Sequence, residues 1–293
     1  MFVITGANSG IGLEAAKILA AQGGHVVIAC RDQARAETAA KVIRQGASGG
    51  GDVSTVLMDL ASQASTKSGA TQISQLVDKI DGLVLNAGVL QPQGRTETED
   101  GFEGQLGINH LGHFYMAGLL IDRVEAAEAG RIVAISSSMH KAGEKRIRFD
   151  DPNWTAEYKP AAAYAQSKLA NALFARELNR RAVASGAKTR AYICHPGYAS
   201  TPLIMKEVKG IASGILKISN ALTAQSAERG SWPTVLCAAG NEAEPGKYYG
   251  PTGMFELRGP VGECKLAAHA RDDEAAAKLW ALSEELTGHS WTL

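Results

Sequence analysis

Residues 2 to 12 read Phe2-Val3-Ile4-Thr5-Gly6-Ala7-Asn8-Ser9-Gly10-Ile11-Gly12, and Leu13, Ala16, Lys17, Leu19 and Ala20 carry the chain on to Gly23-Gly24. Three β-prone side chains, a Gly-rich break and then apolar residues at helical spacing predict a strand, a tight turn and a helix. Glycines let the backbone turn sharply and come close to a ligand, and a helix N-terminus offers unpaired N–H groups and the positive end of its dipole. The predicted unit is therefore a backbone-built anion site of the kind that takes a pyrophosphate. Its Gly-x-x-x-Gly-x-Gly spacing differs from the commonest dinucleotide fingerprint, Gly-x-Gly-x-x-Gly.

The same alternation runs outward from this unit. His25-Val26-Val27-Ile28-Ala29-Cys30 reads as a second strand, with a helix from about Gln33 to Arg44. Arg31 and Asp32 stand at the strand's carboxyl end, where the adenosine ribose of a bound dinucleotide belongs. An acidic side chain there suits a free 2′-hydroxyl and an arginine suits a 2′-phosphate, so Arg31 favours NADP, with Asp32 as the competing reader. Val53 to Met58 forms a third strand closed by Asp59-Leu60, and Gly82 to Leu85 a fourth that enters Asn86-Ala87-Gly88 on the ligand side of a parallel sheet. Strands at Arg131 to Ile135, Thr189 to Cys194 and Met254 to Leu257 follow. Helices run through Gly107 to Phe114, along the stretch after Tyr164, from Ala227 to Ala239 and through Leu279, Trp280 and Leu286. With no second core pattern, residues 1–293 read as one α/β domain: a single doubly wound Rossmann-type parallel sheet of about seven strands with helices on both faces.

Within the helix Tyr164-Ala165-Gln166-Ser167-Lys168, a phenol and an ammonium lie one turn apart. An adjacent cation favours the phenolate, so this spacing is a proton-transfer device if the pair faces a substrate. Residues His140 to Pro160 carry Lys141, Glu144, Lys145, Arg146, Arg148, Asp150 and Asp151 and read as an exposed excursion rimming that site. His110 and His113 have a metal-like i, i+3 spacing, but no carboxylate or cysteine completes a set, so they read as packing or hydrogen-bonding histidines and no metal is assigned.

Composition narrows the partners. Lys+Arg and Asp+Glu both number 30, which removes the basic footprint of a nucleic-acid or acidic-membrane binder. Cys30, Cys194, Cys237 and Cys264 are widely spaced and read as reduced thiols. The chain enters its first strand at Phe2 with no basic leader and no transmembrane segment, so a cytoplasmic enzyme is expected.

These pieces together resemble the short-chain dehydrogenase/reductase family over nearly the whole chain. Thr5-Gly6-Ala7-Asn8-Ser9-Gly10-Ile11-Gly12 matches that family's own glycine spacing. Asn86-Ala87-Gly88, Asn109, the run Ser136-Ser137-Ser138, Tyr164-x-x-x-Lys168 and Pro196-Gly197 through Thr201 follow in the family's order. Ala29-Cys30-Arg31-Asp32, Asn109 to Phe114 and Ser167 to Asn171 are similar to its retinol dehydrogenase-like branch. The resemblance implies a catalytic set of Asn109, Ser137, Tyr164 and Lys168. Tyr164 would be the general acid or base, Lys168 would lower its pKa and hold the nicotinamide ribose, Ser137 would bond the substrate oxygen, and Asn109 would hold a water. Ser137 stands two residues past Ile135, with Ser136 and Ser138 as alternative registers. The resemblance also implies NADP(H) contacts from Gly6, Asn8, Ser9, Gly10, Ile11, Gly12, Arg31, Asp59, Leu60, Asn86, Ala87, Gly88, Tyr164, Lys168, Pro196, Gly197 and Thr201.

The expected activity is hydride transfer between NADP(H) and an alcohol/carbonyl pair. The competing readings are a non-redox member of the same fold, an epimerase or dehydratase, and a non-catalytic dinucleotide sensor. Residues 203–222 carry Leu203, Ile204, Val208, Ile211, Ile215, Leu216 and Ile218. They are expected to form a substrate lid, which makes a hydrophobic aldehyde or ketone the expected partner. The same apolar face leaves open a homo-oligomer.

Overall fold

The computed structural model describes residues 1–91, 93–198 and 225–293. Eight strands form one sheet in the order β3-β2-β1-β4-β5-β6-β7-β8. They are β1 (Phe2–Thr5), β2 (His25–Cys30), β3 (Asp52–Leu57), β4 (Gly82–Leu85), β5 (Arg131–Ile135), β6 (Arg190–Cys194), β7 (Tyr248–Pro251) and β8 (Val261–Cys264). The first seven are parallel, and β8 returns antiparallel to β7. The long helices are α1 (Gly10–Ala21), α2 (Gln33–Gly46), α3 (Gln63–Leu76), α4 (Gly112–Glu125), α5 (Pro160–Ser185), α6 (Ala227–Ala239) and α7 (Asp273–Thr287).

Both faces of the sheet are covered because the central strands are apolar on both sides. Val3, Val27, Leu83 and Leu85 point into the core beneath α3, α4, α5 and α7, while Ile4, Val26, Ile28 and Val84 point into the core beneath α1, α2 and α6. A pleated strand sends successive side chains to opposite faces, so continuous apolar runs are what a doubly covered parallel sheet requires. Strand order reverses between β1 and β4, whose following helices α1 and α4 pack on opposite faces of the sheet and leave a crevice at the strands' carboxyl ends. Ligands of open α/β sheets bind at such a switch point. Thr5 and Asn86 therefore meet there, with the ends of β2, β5 and β6 along the same edge.

Two local readings are corrected. Met254 to Leu257 is not a strand: Met254, Phe255 and Glu256 have φ of 46°, 59° and 62° and wind a left-handed turn between β7 and β8. Each such non-glycine residue costs about 1–2 kcal/mol, so outside contacts must hold the turn. Lys141 Nζ donates to both oxygens of Glu256 at 2.8 and 2.6 Å, and Tyr198 N donates to Leu257 O at 2.8 Å. The strand sits earlier, where Tyr248 and Tyr249 pair with Ile193 and Cys194.

The excursion from His140 to Pro160 is likewise less exposed than its charges suggest. Ile147 and Trp154 are buried, the Arg148 guanidinium lies 4.3 Å from the Trp154 ring centroid, and Gln166 ties the segment to α5 through Arg148 N and Pro152 O. Arginine covers apolar surface with its stem and stacks its head on an aromatic face, so a charged stretch can still form a packed layer.

Candidate active site

The Gly-rich turn leads from β1 into α1, whose first residue after the Ser9 cap is Gly10; the Ser9 side chain makes no capping bond. The first-turn N–H groups thus face the crevice without an internal acceptor, the condition an anion site needs. Gly6 has φ of 66°, and a Cβ there would lie 2.9 Å from Ala87 Cα. A Cβ at Gly12 would lie 2.4 Å from Asn86 Nδ2 and 3.0 Å from Ala7 Cα. Both glycines are required by close approach to neighbouring backbone and to the Asn86 turn. Below the turn, the Ala7 and Asn8 amides point at the Cys30 thiol, which burial pushes up to about 11. Sequence reading treats Cys30 as an ordinary reduced thiol, whereas here it supports the loop.

A buried polar network fixes the crevice. His113 Nδ1 lies 3.1 Å from Asn109 O, a pure acceptor, so Nδ1 carries the proton. Its Nε2 then accepts from Thr5 Oγ1 at 2.8 Å. Thr5 Oγ1 in turn accepts from Asn86 N and Ala87 N, each at 2.9 Å, while Asn86 Nδ2 donates to Thr5 O at 2.8 Å. Burial, with the nearby Lys168 charge, holds His113 neutral and brings its pKa down to about 4, while the Asn109 hydrogen bond acts the other way. Asn109 lies in a widened π-helical turn, Gly107–Leu111, that precedes α4. Its Oδ1 accepts from Val89 N at 2.7 Å, and its Nδ2 donates to Val89 O at 3.0 Å and Ser167 Oγ at 2.9 Å. Asn109 thereby joins the Asn86-Ala87-Gly88 turn to α5. The other histidine of the pair, His110, hydrogen-bonds Ser283 at 2.8 Å, so the two rings are engaged separately in the core.

At the end of β5 the serine register becomes distinct. Ser136 is buried and donates to Lys168 O at 2.8 Å, whereas the Ser137 side chain faces the Tyr164 phenol and favours its ionised form. Ser137 also starts a short 3₁₀ turn, accepting from Met139 N at 3.2 Å. The buried His140 anchors this turn. Its Nδ1 donates to Ser137 O at 2.6 Å, and its Nε2 accepts from Ala267 N at 3.3 Å.

Tyr164 and Lys168 sit on one face of α5 as their spacing requires, but the direct effect of the ammonium differs from expectation. Burial dominates and pushes the phenol up to about 12, with the Ser137 hydrogen bond acting the other way. Lys168 Nζ lies 5.7 Å from the Tyr164 ring centroid, and burial brings its pKa down to about 8. Among the described residues the ammonium donates to Ile135 O at 3.2 Å, leaving N–H groups for a polyhydroxylated ligand in the crevice. A Cβ at Gly88 would come within 3.5 Å of Nζ, so the Asn86 turn passes close to it.

The remaining expected contacts line the same edge. Arg31 is exposed at the end of β2 and has no partner among the described residues, while Asp32 accepts from Arg35 N at 3.0 Å as the cap of α2. Asp59 Oδ1 accepts from Ala61 N at 2.9 Å beside the buried Leu60. Pro196 and Gly197 follow β6, with Gln225 Nε2 donating to Pro196 O at 2.5 Å. Thr201 and the expected lid, residues 203–222, lie outside the described residues. The phosphate turn, an uncapped helix start and a buried ammonium fit a nicotinamide dinucleotide.

The short chain dehydrogenase family matches residues 1–212. The chain belongs to that family. Its nicotinamide-dependent oxidoreductase chemistry accounts for the site just described. The chain is 40% identical to retinol dehydrogenase 13 of Homo sapiens, covering 98% of this chain and 84% of that relative. It is 35% identical to retinol dehydrogenase 14 of Homo sapiens, covering 98% and 85%. A solved structure of an uncharacterized protein from Mycobacterium paratuberculosis superposes with a TM-score of 0.80 at 35% identity, covering 100% of this chain and 94% of that one. Among the described residues no helix is long and apolar enough to cross a membrane.

Proposed function

We propose that this family member transfers a hydride between NADP(H) and an apolar alcohol/carbonyl pair, with Tyr164 as the proton donor in reduction and acceptor in oxidation. One juxtaposition carries the reading: Ser137 facing the Tyr164 phenol, with the buried Lys168 ammonium one helical turn away. When bound, the nicotinamide supplies or receives the hydride. The chain's own residues do the rest. The phenol is protonated at neutral pH, and its proton can be given to a carbonyl oxygen as that oxygen gains negative charge. Ser137 donates to the same oxygen and orients it. The phenolate left behind is favoured by the Lys168 charge acting through a low-dielectric surrounding. Asn109 positions the Asn86 turn and Ser167, and thereby the helix that carries both groups.

The NADP preference is supported by the Arg31 guanidinium, unpartnered among the described residues, and by the engagement of Asp32 in capping α2. An apolar substrate is supported by the alcohol in the relatives' names and by the apolar spacing of residues 203–222. A cytoplasmic, reducing setting belongs to the same proposal, supported by four free cysteines. The test is consumption of NADPH and NADH with a homologous series of aldehydes and ketones. The expected result is a preference for NADPH and a specificity constant that rises with apolar size. A preference for NADH, or no turnover across the series, overturns the assignment.

A further inference from the structure

His195, Glu256 and Cys264 converge where β6, β7 and β8 meet, their donor atoms all within 4.8 Å of one another. The set invites a zinc ion, but two observations turn it elsewhere. Gly197 N donates to His195 Nδ1 at 3.2 Å, so in the neutral ring Nε2 carries the proton, the reverse of what a ligating nitrogen requires. The Glu256 carboxylate already holds the ammonium of Lys141 at 2.6 Å. Among the described residues the buried His195 Nε2–H has no hydrogen-bond partner, and it faces Glu256 Oε2 at 3.9 Å. The ring stacks on Tyr248 at 4.8 Å and occupies the space a Cβ at Gly250 would need.

The two ends of this cluster lie on the two sides of the reaction site. Lys141 closes the short 3₁₀ turn that begins with Ser138, whose cap is Ser137. His195 holds the amide of Gly197, and Leu257, next to Glu256, accepts from Tyr198 N at 2.8 Å. A Cβ at Gly197 would lie 2.4 Å from Leu257 O, so the left-handed turn is pressed against the Pro196-Gly197 turn. Strained backbone persists where surrounding contacts over-determine it, and it clusters at ligand clamps.

We propose that Lys141, Glu256 and His195 form a positioning clamp that fixes the Ser137 turn relative to the Pro196-Gly197 turn, through the strained turn at Met254 to Glu256. This deepens the reading of the site as a carbonyl and dinucleotide site and rests on it. None of the three residues touches the reacting atoms. Their part is to keep the substrate-oxygen side and the cofactor side in one fixed geometry.

The charge-swap cycle tests the clamp: Lys141→Glu, Glu256→Lys and the double variant, compared with wild type for kcat and KM on a carbonyl at saturating NADPH and for NADPH affinity by fluorescence titration. Each single variant should lower NADPH affinity by about tenfold, as expected for loss of a charged hydrogen-bonded pair. Each should also lower kcat more than the carbonyl KM changes, and the double variant should recover both quantities to within about threefold of wild type. Single variants that bind NADPH like wild type, or a double variant no better than the singles, overturn the clamp. If wild type reduces no carbonyl, the proposed activity fails on its own, while loss and recovery of NADPH affinity still decides the clamp.

Discussion

Lys168 Nζ stands 5.7 Å from the centroid of the Tyr164 ring, and the Ser137 side chain faces the phenol. In the proposed reaction Ser137 acts on the proton by contact and Lys168 by its field. Tyr164→Phe removes the transferable proton while preserving the ring, and is expected to lower kcat by about 10²- to 10⁴-fold with NADPH affinity close to wild type. Steady-state kinetics and NADPH titration together check this. Retention of most of the wild-type rate would remove Tyr164 from the mechanism.

Lys168 offers a stability experiment with a definite sign. Its folded pKa, about 8, lies below its ordinary value of 10.5, so between those pH values the unfolded chain holds more protons than the native state. The native state gains from this group as pH rises through that window and loses the gain as pH falls through about 8. Lys168→Met should stabilise the protein at pH 7, by up to a few kcal/mol on the order of a buried-charge penalty, and by less at pH 10. Urea denaturation at both pH values measures it. Destabilisation at pH 7 would mean that the ammonium is better solvated than its burial indicates.

Arg31 and Asp32 are adjacent yet should give unlike phenotypes. Arg31→Asp is expected to reverse the cofactor preference, because charge-assisted bonds to a 2′-phosphate contribute about 1.5–3 kcal/mol. Asp32→Ala should lower stability by about 1 kcal/mol through loss of the α2 cap and leave the preference intact. Specificity constants for NADPH and NADH, with thermal melting, separate the two. A preference unaltered in Arg31→Asp would assign the reading of the ribose to another residue.

His113 should govern part of the acid sensitivity. Its folded pKa, about 4, is depressed below 6.5, so its stabilising neutral form is fully present above pH 6.5 and is lost as pH falls toward 4. Across pH 5 to 6 the wild type should lose about 1.4 kcal/mol per pH unit more than His113→Gln, one proton's share. His110 and His195, each brought down to about 3 by burial, add to the slope in both proteins. Equal slopes in the two proteins would mean that His113 does not bury a neutral ring.

Much of this was legible in the chain because the relevant contacts are local. The Gly6 to Gly12 turn, the Arg31 placement and the Tyr164-Lys168 pair each follow from spacing within one strand–turn–helix unit or one helix. What escaped was long-range. Ala267 N fixes the His140 ring that holds Ser137 O, and Glu256 meets Lys141 115 residues away, pairings that no periodicity announces. Met254 to Leu257 looked like a strand because its residues are apolar enough, whereas backbone angles set by the Lys141 and Tyr198 contacts wind it left-handed. The charged run after His140 hid a buried Trp154 because arginine can serve as packing.

The bond between Thr5 and His113 spans 108 residues of sequence, and those from Thr5 to the Asn86 turn span 81 and 82. Closing such loops is slow, because their chain entropy must be lost before the contacts return any stability. A nascent chain that has made β1 and α1 therefore owns a glycine turn but no crevice. The crevice exists only after β4 and α4 have docked, so the dinucleotide can act as a ligand of the finished fold and not as a template for its early stages.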